Sequence, residues 1–337
     1  MKKMWIAITL LMAVGLLSSC KLVHQVLSDS KFDASLAESE LARERSGNTY
    51  PFTLNCEYDY GCPVIRYPIN GKEGLFLVDT GAPYCLLYDP GLEKIGVTAD
   101  ELNAAFLSGY AEYLQQTNPE LYEKIHDDDD KLLARLKKDQ DKGLNMYCEY
   151  DGDEDFSSFW YGQNHDYKLD GCIGLELLRK HNRVTFDFIH NLLILDDEKL
   201  DGTATPMAFD TNGDCCIEFL YKGQKEVGII DTGNYSFSPR NNFGKDDDIY
   251  DLNSDYVTAD VYQKKNPKKL PFVHTFDDIE ICGQRKDGIK GVYSNCWFST
   301  YSVAAQVYLS RVNGIGCELF KGNIIQLDFV DMEFIVK

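Results

Sequence analysis

The chain is short of positive charge: 34 Lys and Arg stand against 54 Asp and Glu, a formal net charge of −20 over 337 residues. A field of that sign repels phosphate backbones, and no basic stripe with interleaved aromatics interrupts it, so nucleic acid is excluded as the expected partner. Several catalytic signatures are missing as well. There is no Gly-x-Ser-x-Gly elbow, no His-Glu-x-x-His helix, and no Walker or dinucleotide glycine pattern. No Cys-x-x-Cys pair or Cys/His zinc spacing occurs, and the six histidines are scattered. Acidic runs at Asp127–Asp130, Asp151–Asp155 and Asp246–Asp248 lack the distal Glu of a calcium loop and read as solvated loops. No metal and no cofactor is therefore expected. What the chain does have is 44% apolar content with 18 Phe, 21 Tyr and 3 Trp, enough aromatic surface to offset chain entropy and to fill one large core or two modest ones.

An internal repeat organises that content. The segment Gly71–Gly81, Gly-Lys-Glu-Gly-Leu-Phe-Leu-Val-Asp-Thr-Gly, aligns without a gap on Gly223–Gly233, Gly-Gln-Lys-Glu-Val-Gly-Ile-Ile-Asp-Thr-Gly. Each reads as a hairpin turn, an apolar strand and then Asp-Thr-Gly. Further along, Gly171-Cys172-Ile173-Gly174-Leu175 answers to Asn313-Gly314-Ile315-Gly316-Cys317, and Asp187–Leu195 answers to Asp328–Val336. A given tripeptide arises by chance on the order of once per few thousand positions, so one Asp-Thr-Gly is a weak signal. Two in matching halves are a strong one. The chemistry supplies a reason: the strand delivers the Asp to a tight turn, Gly admits close backbone approach, and Thr fixes the turn by hydrogen bonding.

On these residues the sequence resembles the aspartic peptidases. Each half is similar to a retropepsin-type lobe, while duplication within one chain is similar to the pepsin arrangement. The resemblance covers roughly residues 60–90, 168–196, 215–240 and 312–336. It implies a mainly β, double-lobed acid-protease-like β-barrel architecture with pseudo-twofold symmetry. Residues 51–205 would form the N-terminal lobe and 206–337 the C-terminal lobe. Asp79 and Asp231 would face one another over a cleft as catalytic residues acting on a polypeptide substrate. Thr80, Gly81, Ala82, Thr232, Gly233 and Asn234 would support the two turns, with the Gly174 and Gly316 elements behind them. Asn234 departs from the Ser, Thr or Ala usual in the family, so its amide either donates to the carboxylate or marks a degraded site. The competing expectation is an inactive peptide-binding or adhesive protein that keeps the fold.

Two carboxylates within hydrogen-bond reach cannot both ionise cheaply, so such a pair holds one proton, with one Asp as base and the other as acid. Which Asp begins protonated is not decided by the sequence. Ala82 offers no hydroxyl to the outer carboxylate oxygen, which points to a mildly acidic to near-neutral optimum.

The remaining segments read on their own terms. Lys2 and Lys3 precede an apolar run from Trp5 to Leu17 that is too short to span a bilayer comfortably. Leu17-Ser18-Ser19-Cys20 resembles the lipobox of bacterial lipoproteins. That implies a signal peptide over 1–19, a lipid on Cys20, and, with Lys21 at the next position, an outer-membrane location in the cell envelope. Residues 20–50 read as a polar tether, and a monomer is expected. Ten of the 11 cysteines lie beyond Cys20, an even number that suits disulfides in an exported chain, while buried free thiols fit equally. Thr98 to Glu101 forms a capping box, and Leu102, Ala105, Phe106, Tyr110 and Leu114 then recur at helical spacing. Asn118-Pro119 restarts a second helix, and a third is expected from Leu132 to Leu136. Residues 98–142 are thus a helical insertion in the first lobe.

Overall fold

The structure, a computed structural model, describes residues 5–7, 41, 43, 45–54, 61–140, 146–149, 152–161, 169–210, 213–235, 237–239, 274–291 and 313–337. The first half carries β1 (Trp5–Ala7), β2 (Thr49–Thr53), β3 (Val64–Ile69), β4 (Lys72–Val78), β5 (Leu86–Leu87), α1 (Asp89–Ile95), α2 (Ala99–Thr117), α3 (Pro119–Ile125), α4 (Asp129–Gln140), β6 (Met146–Glu149), β7 (Ser158–Tyr161), β8 (Gly171–Ile173), α5 (Leu175–Leu178), β9 (Arg183–Asp187) and β10 (Leu192–Leu195). The second carries β11 (Thr203–Phe209), β12 (Cys215–Tyr221), β13 (Gln224–Ile230), β14 (Phe237–Ser238), β15 (His274–Phe276), β16 (Ile279–Ile281), β17 (Gln284–Lys286), β18 (Ile289–Gly291), β19 (Asn313–Ile315), a 3-10 turn (Cys317–Phe320), β20 (Ile324–Asp328) and β21 (Glu333–Val336). The protein is mainly β.

The aligned segments adopt matching local structure. Asn70 and Gly71 have φ of 47° and 71°, and Lys222 and Gly223 have φ of 52° and 71°. Positive φ at both central residues makes a two-residue hairpin turn whose twist suits its strands. It joins β3 to β4 with Ile69 opposite Lys72, and β12 to β13 with Tyr221 opposite Gln224. Both second strands then gain a parallel neighbour, β8 beside β4 and β19 beside β13. These parallel strands pair on their other side with β5 and β14.

Beneath these hairpins lies a layer in the order β2-β10-β9-β20-β21-β11, antiparallel throughout. One face of its centre is apolar: Val184, Phe186, Ile325 and Leu327 are buried and belong to a core cluster that runs through both halves. Burying each such side chain contributes about 1.5–3 kcal/mol. The expected closed barrels do not form. β2 pairs β10 through Thr49–Pro51 and β3 through Phe52 and Thr53, while β11 pairs β21 and then β12. Edges that would close a barrel are thereby used to join one large mixed sheet.

The helical insertion lies where the pattern puts it, as α2 to α4, with Phe106, Tyr110, Leu114, Leu132 and Leu136 buried. The Asn118 side chain caps α3 by accepting from the Leu121 N–H at 3.2 Å. Two acidic runs are not merely solvated loops. Asp128 accepts from the Lys131 N–H at the start of α4, where Asp129 and Asp130 also favour the helix dipole. Asp153 accepts from the backbone of Asn70, Asp155 and Phe156. The run at Asp246–Asp248 lies outside the described residues.

Three further expectations meet the structure. Cys85, Cys215, Cys216, Cys282 and Cys317 are free thiols, so the cysteines do not all pair; in apolar surroundings a thiol packs as a small hydrophobe. The end of the expected tether is part of the fold: Leu41 is buried, Arg43 donates to the carbonyls of His190 and Asn191, and Thr49 and Tyr50 belong to β2. Trp5–Ala7 of the expected signal peptide form a strand on β6, while Cys20 lies outside the described residues. Among the described residues no helix is long and apolar enough to cross a membrane.

Candidate active site

β4 and β13 each end one residue before an aspartate. The Asp79 N–H donates to the Ile173 carbonyl at 2.9 Å, and the Asp231 N–H to the Ile315 carbonyl at 3.1 Å, so the strands β8 and β19 hold the two turns alike. Each turn closes on itself, with Ala82 N–H donating to Asp79 O and Asn234 N–H to Asp231 O. Behind them, Leu175 N–H donates to Ala82 O and Cys317 N–H to Asn234 O. The Gly174 and Gly316 elements thus support the turns from the far side. A Cβ on Gly174 would lie 2.2 Å from the Tyr84 carbonyl oxygen, which explains the glycine.

The turns come from opposite halves of the chain and interlock through their threonines. Thr80 Oγ1 donates to the Ile230 carbonyl at 2.7 Å and accepts from the Thr232 N–H at 3.0 Å. Thr232 Oγ1 donates to the Val78 carbonyl at 2.7 Å and accepts from the Thr80 N–H at 3.0 Å. All these groups are buried. The glycines complete the approach: a Cβ on Gly81 would fall 2.5 Å from Asp231 Cγ, and one on Gly233 would fall 2.2 Å from Asp79 Cγ. No side chain fits there, so each glycine backbone lies against the opposite carboxyl.

Asp79 and Asp231 are 2% and 6% exposed and hydrogen-bonded to each other. Burial raises both carboxyls above their ordinary range. The two are not equal. Asp231 is held well above that range by burial, by the charge of Asp79 and the hydrogen bond to it, and by the charge of Asp214. Asp79 is drawn back by the Gly81 N–H at 2.8 Å, by the bond from Asp231, and by the N–H groups of Gly233 and Ala82. A buried pair raised in this way resists carrying two negative charges at once.

Asn234 is buried, and its Nδ2 donates to Ser238 Oγ at 3.3 Å while packing 3.4 Å from the place a Gly314 Cβ would take. Its amide is thus directed along β14 and β19. Two residues important to this geometry escaped the sequence reading. Ser238 carries no motif. Asp214, 5% exposed, was visible only as the partner of Cys62 in the ungapped alignment continued back from the hairpin.

Among the described residues no group of three or more His, Cys, Asp or Glu side chains is arranged to hold a metal. An open cavity of about 480 Å³ lies away from the two aspartates, bounded by Arg66, Lys72, Glu93, Lys94 and Asp170, with Lys94 and Asp170 ion-paired at 2.6 Å. No family model and no curated protein matches the chain.

Proposed function

We propose that the protein is an aspartic endopeptidase. The observation that carries this reading is the pair of buried aspartates, one from each Asp-Thr-Gly turn, hydrogen-bonded to each other. The Asp79 carboxylate would take a proton from a water molecule whose oxygen attacks the peptide carbonyl carbon. Protonated Asp231 would donate to the carbonyl oxygen as negative charge develops on it. The tetrahedral adduct then breaks its C–N bond as nitrogen takes the proton from Asp79, and Asp231 recovers its own from the adduct's hydroxyl. No covalent intermediate and no cofactor enters.

The finer architecture belongs to the same proposal. Each half is one lobe, related to the other by an approximate twofold axis between β9 and β20. Support comes from the recurrence of hairpin, parallel neighbour and helical turn in both halves, and from the antiparallel β9–β20 register, Asp187 opposite Ile324 and Arg183 opposite Asp328. We further propose a monomer held in the cell envelope by lipid on Cys20, on the strength of Leu17-Ser18-Ser19-Cys20.

Purified protein is tested on a peptide library from about pH 3 to 8, beside Asp79→Asn and Asp231→Asn, which keep shape but each remove one proton site. Cleavage by the wild type that either change abolishes is the expected result. A folded wild type that cuts nothing at any pH overturns the reading and favours a peptide-binding protein. For the anchor, Cys20→Ala is expected to move the protein out of the membrane fraction; an unchanged distribution refutes lipidation.

A further inference from the structure

The groups around the open cavity beside α1 and the first hairpin belong to one copy of the repeat alone. The ungapped alignment of Gly71 with Gly223 sets Arg66 against Glu218, Lys72 against Gln224 and Gly74 against Glu226, and that of Gly171 with Asn313 sets Asp170 against Val312. One device recurs with its charges exchanged. Arg66 pairs with Glu73 at 2.7 Å across β3 and β4, and Lys225 pairs with Glu218 at 3.2 Å across β12 and β13. That ion pair serves the hairpin in either half. Lys72, Gly74 and Asp170 have no such counterpart, so the repeated fold does not require them.

The cavity wall is built around Asp170. This residue is 3% exposed, and its Oδ2 accepts from the Leu75 N–H and from Lys94 Nζ, both at 2.6 Å. A carboxylate buried so deeply holds its cation, because losing it would strand a charge out of water. Lys94 Nζ is thereby fixed at the wall. Lys72 Nζ donates to the Lys94 carbonyl at 2.9 Å, which brings a second ammonium alongside. Two glycines make room: a Cβ on Gly91 would lie 2.2 Å from the Asp170 carbonyl oxygen, and one on Gly74 would lie 3.2 Å from Asp170 Oδ2.

What these groups leave unspent defines the ligand. Each ammonium has three N–H donors and the Arg66 guanidinium five, of which the contacts above use one apiece. On the acceptor side, Asp170 Oδ1 is buried with no hydrogen-bond partner among the described residues, and the Glu93 carboxylate on the rim has no partner among them either. Leu75 and Pro90 add a small apolar wall. A phosphate would meet the acids Glu73 and Glu93, and a plain amine would meet three cations. A molecule with one anionic and one cationic end matches both sets.

We propose that this cavity binds a small zwitterion with free α-ammonium and α-carboxylate ends, an amino acid or short peptide. The carboxylate lies among Lys72, Lys94 and Arg66, and the ammonium turns to Glu93. The cavity volume of about 480 Å³ suits such a ligand. Leu75 is four residues of extended β4 from Asp79, roughly 13 Å, so the site is separate from the two aspartates and does not rest on the peptidase reading.

The test titrates full-length ²H,¹⁵N-labelled protein with leucine, the dipeptide Ala-Leu, N-acetyl-Ala-Leu, Ala-Leu amide and inorganic phosphate. A dipeptide is too short for an endopeptidase to process, which separates binding from turnover. Leucine or Ala-Leu is expected to shift the backbone amides of Gly74, Leu75 and Lys94, and the tighter of the two identifies the source. Blocking either end should weaken binding about tenfold, the loss of one charge-assisted interaction. Lys72→Met should cost Ala-Leu as much. Glu93→Gln should weaken Ala-Leu but leave N-acetyl-Ala-Leu unchanged. The comparison among probes needs only the wild type, so a variant that fails to fold does not shelter the proposal. It is overturned by blocked dipeptides that bind as well as the free one, by phosphate that binds as tightly, or by no shift with any probe up to about 10 mM. Shifts confined to Gly81 and Gly233 would place the dipeptide at the aspartates and overturn it as well.

Discussion

The threonine interlock makes the most direct energetic claim. Thr80→Val preserves shape and removes one hydroxyl, and with it two buried hydrogen bonds, to the Ile230 carbonyl and from the Thr232 N–H. Both former partners are fully buried, so water cannot replace the hydroxyl. Each orphaned group costs about 1–3 kcal/mol, which places the variant about 2–6 kcal/mol below the wild type. That is a large part of a total stability of about 5–15 kcal/mol. At about 2–4 °C per kcal/mol for chains of roughly this size, Tm falls by about 4–24 °C. Thr232→Val should behave alike, since its hydroxyl makes the matching pair of bonds to Val78 and Thr80. The two sets share no atom, so simple addition is the baseline for the double variant. Coupling through one turn-to-turn contact should make the second substitution cheaper than the first by about 0.5–3 kcal/mol. Urea unfolding followed by tryptophan fluorescence measures all three, with Thr117→Val as an exposed control whose hydroxyl only returns to Tyr113. A buried Thr→Val variant within about 0.5 kcal/mol of wild type, the range of ordinary surface changes, would refute the interlock.

Three other perturbations have signs that follow from the charges. Asp231 has a raised pKa in the folded protein, so it costs no stability below the unfolded carboxyl pKa and a growing amount as pH rises towards its folded value. Asp231→Asn should then raise Tm at pH 7 but not at pH 3, by about 1.4 kcal/mol for each pH unit in that window; equal effects at both pH values would contradict it. Asp328 has the opposite slope: burial pushes it up, but the hydrogen bond from Arg183 and the N–H groups of Asp331 and Val330 hold it below the usual range. Its contribution is present above the unfolded pKa and fades as pH falls, so Asp328→Asn should destabilise by about 2 kcal/mol at pH 7 and much less in acid, as thermal melts would report. Ala82→Ser adds a hydroxyl beside the Asp79 turn and favours the charged form, so the pH optimum of peptide cleavage should move to acid by about half a unit; a move upward would refute the argument.

What could be read from the chain and what could not divides along the range of the interactions. Asn70-Gly71 and Lys222-Gly223 turns, the apolar runs into Asp79 and Asp231, and the Asn118 cap are each determined within a few residues. The joining of β2 and β11 to two neighbours each is a long-range pairing, and alternation along a strand does not say whether its edges close a barrel or link a layer. Cysteine count was equally silent. Cys282 and Cys317 donate to the Phe334 and Thr232 carbonyls, contacts that no spacing reveals. Asn234 left two readings open because its rotamer depends on Ser238, four residues away across a turn.

That last residue also bears on how a duplicated site acquires unequal halves. A repeated Asp-Thr-Gly supplies like turns, like glycine approaches and reciprocal threonine bonds, all of which are indifferent to which carboxyl carries the proton. Changes inside the motif would break the interlock. The differences instead occur at its borders: Ala82 against Asn234 after the glycine, and Cys62 against Asp214 before the hairpin. Asn234 donates from its amide to Ser238 Oγ at 3.3 Å. Asp214 puts a buried carboxyl where the first half has the buried Cys62, so the repeat preserves the geometry while its borders make the two halves chemically unequal.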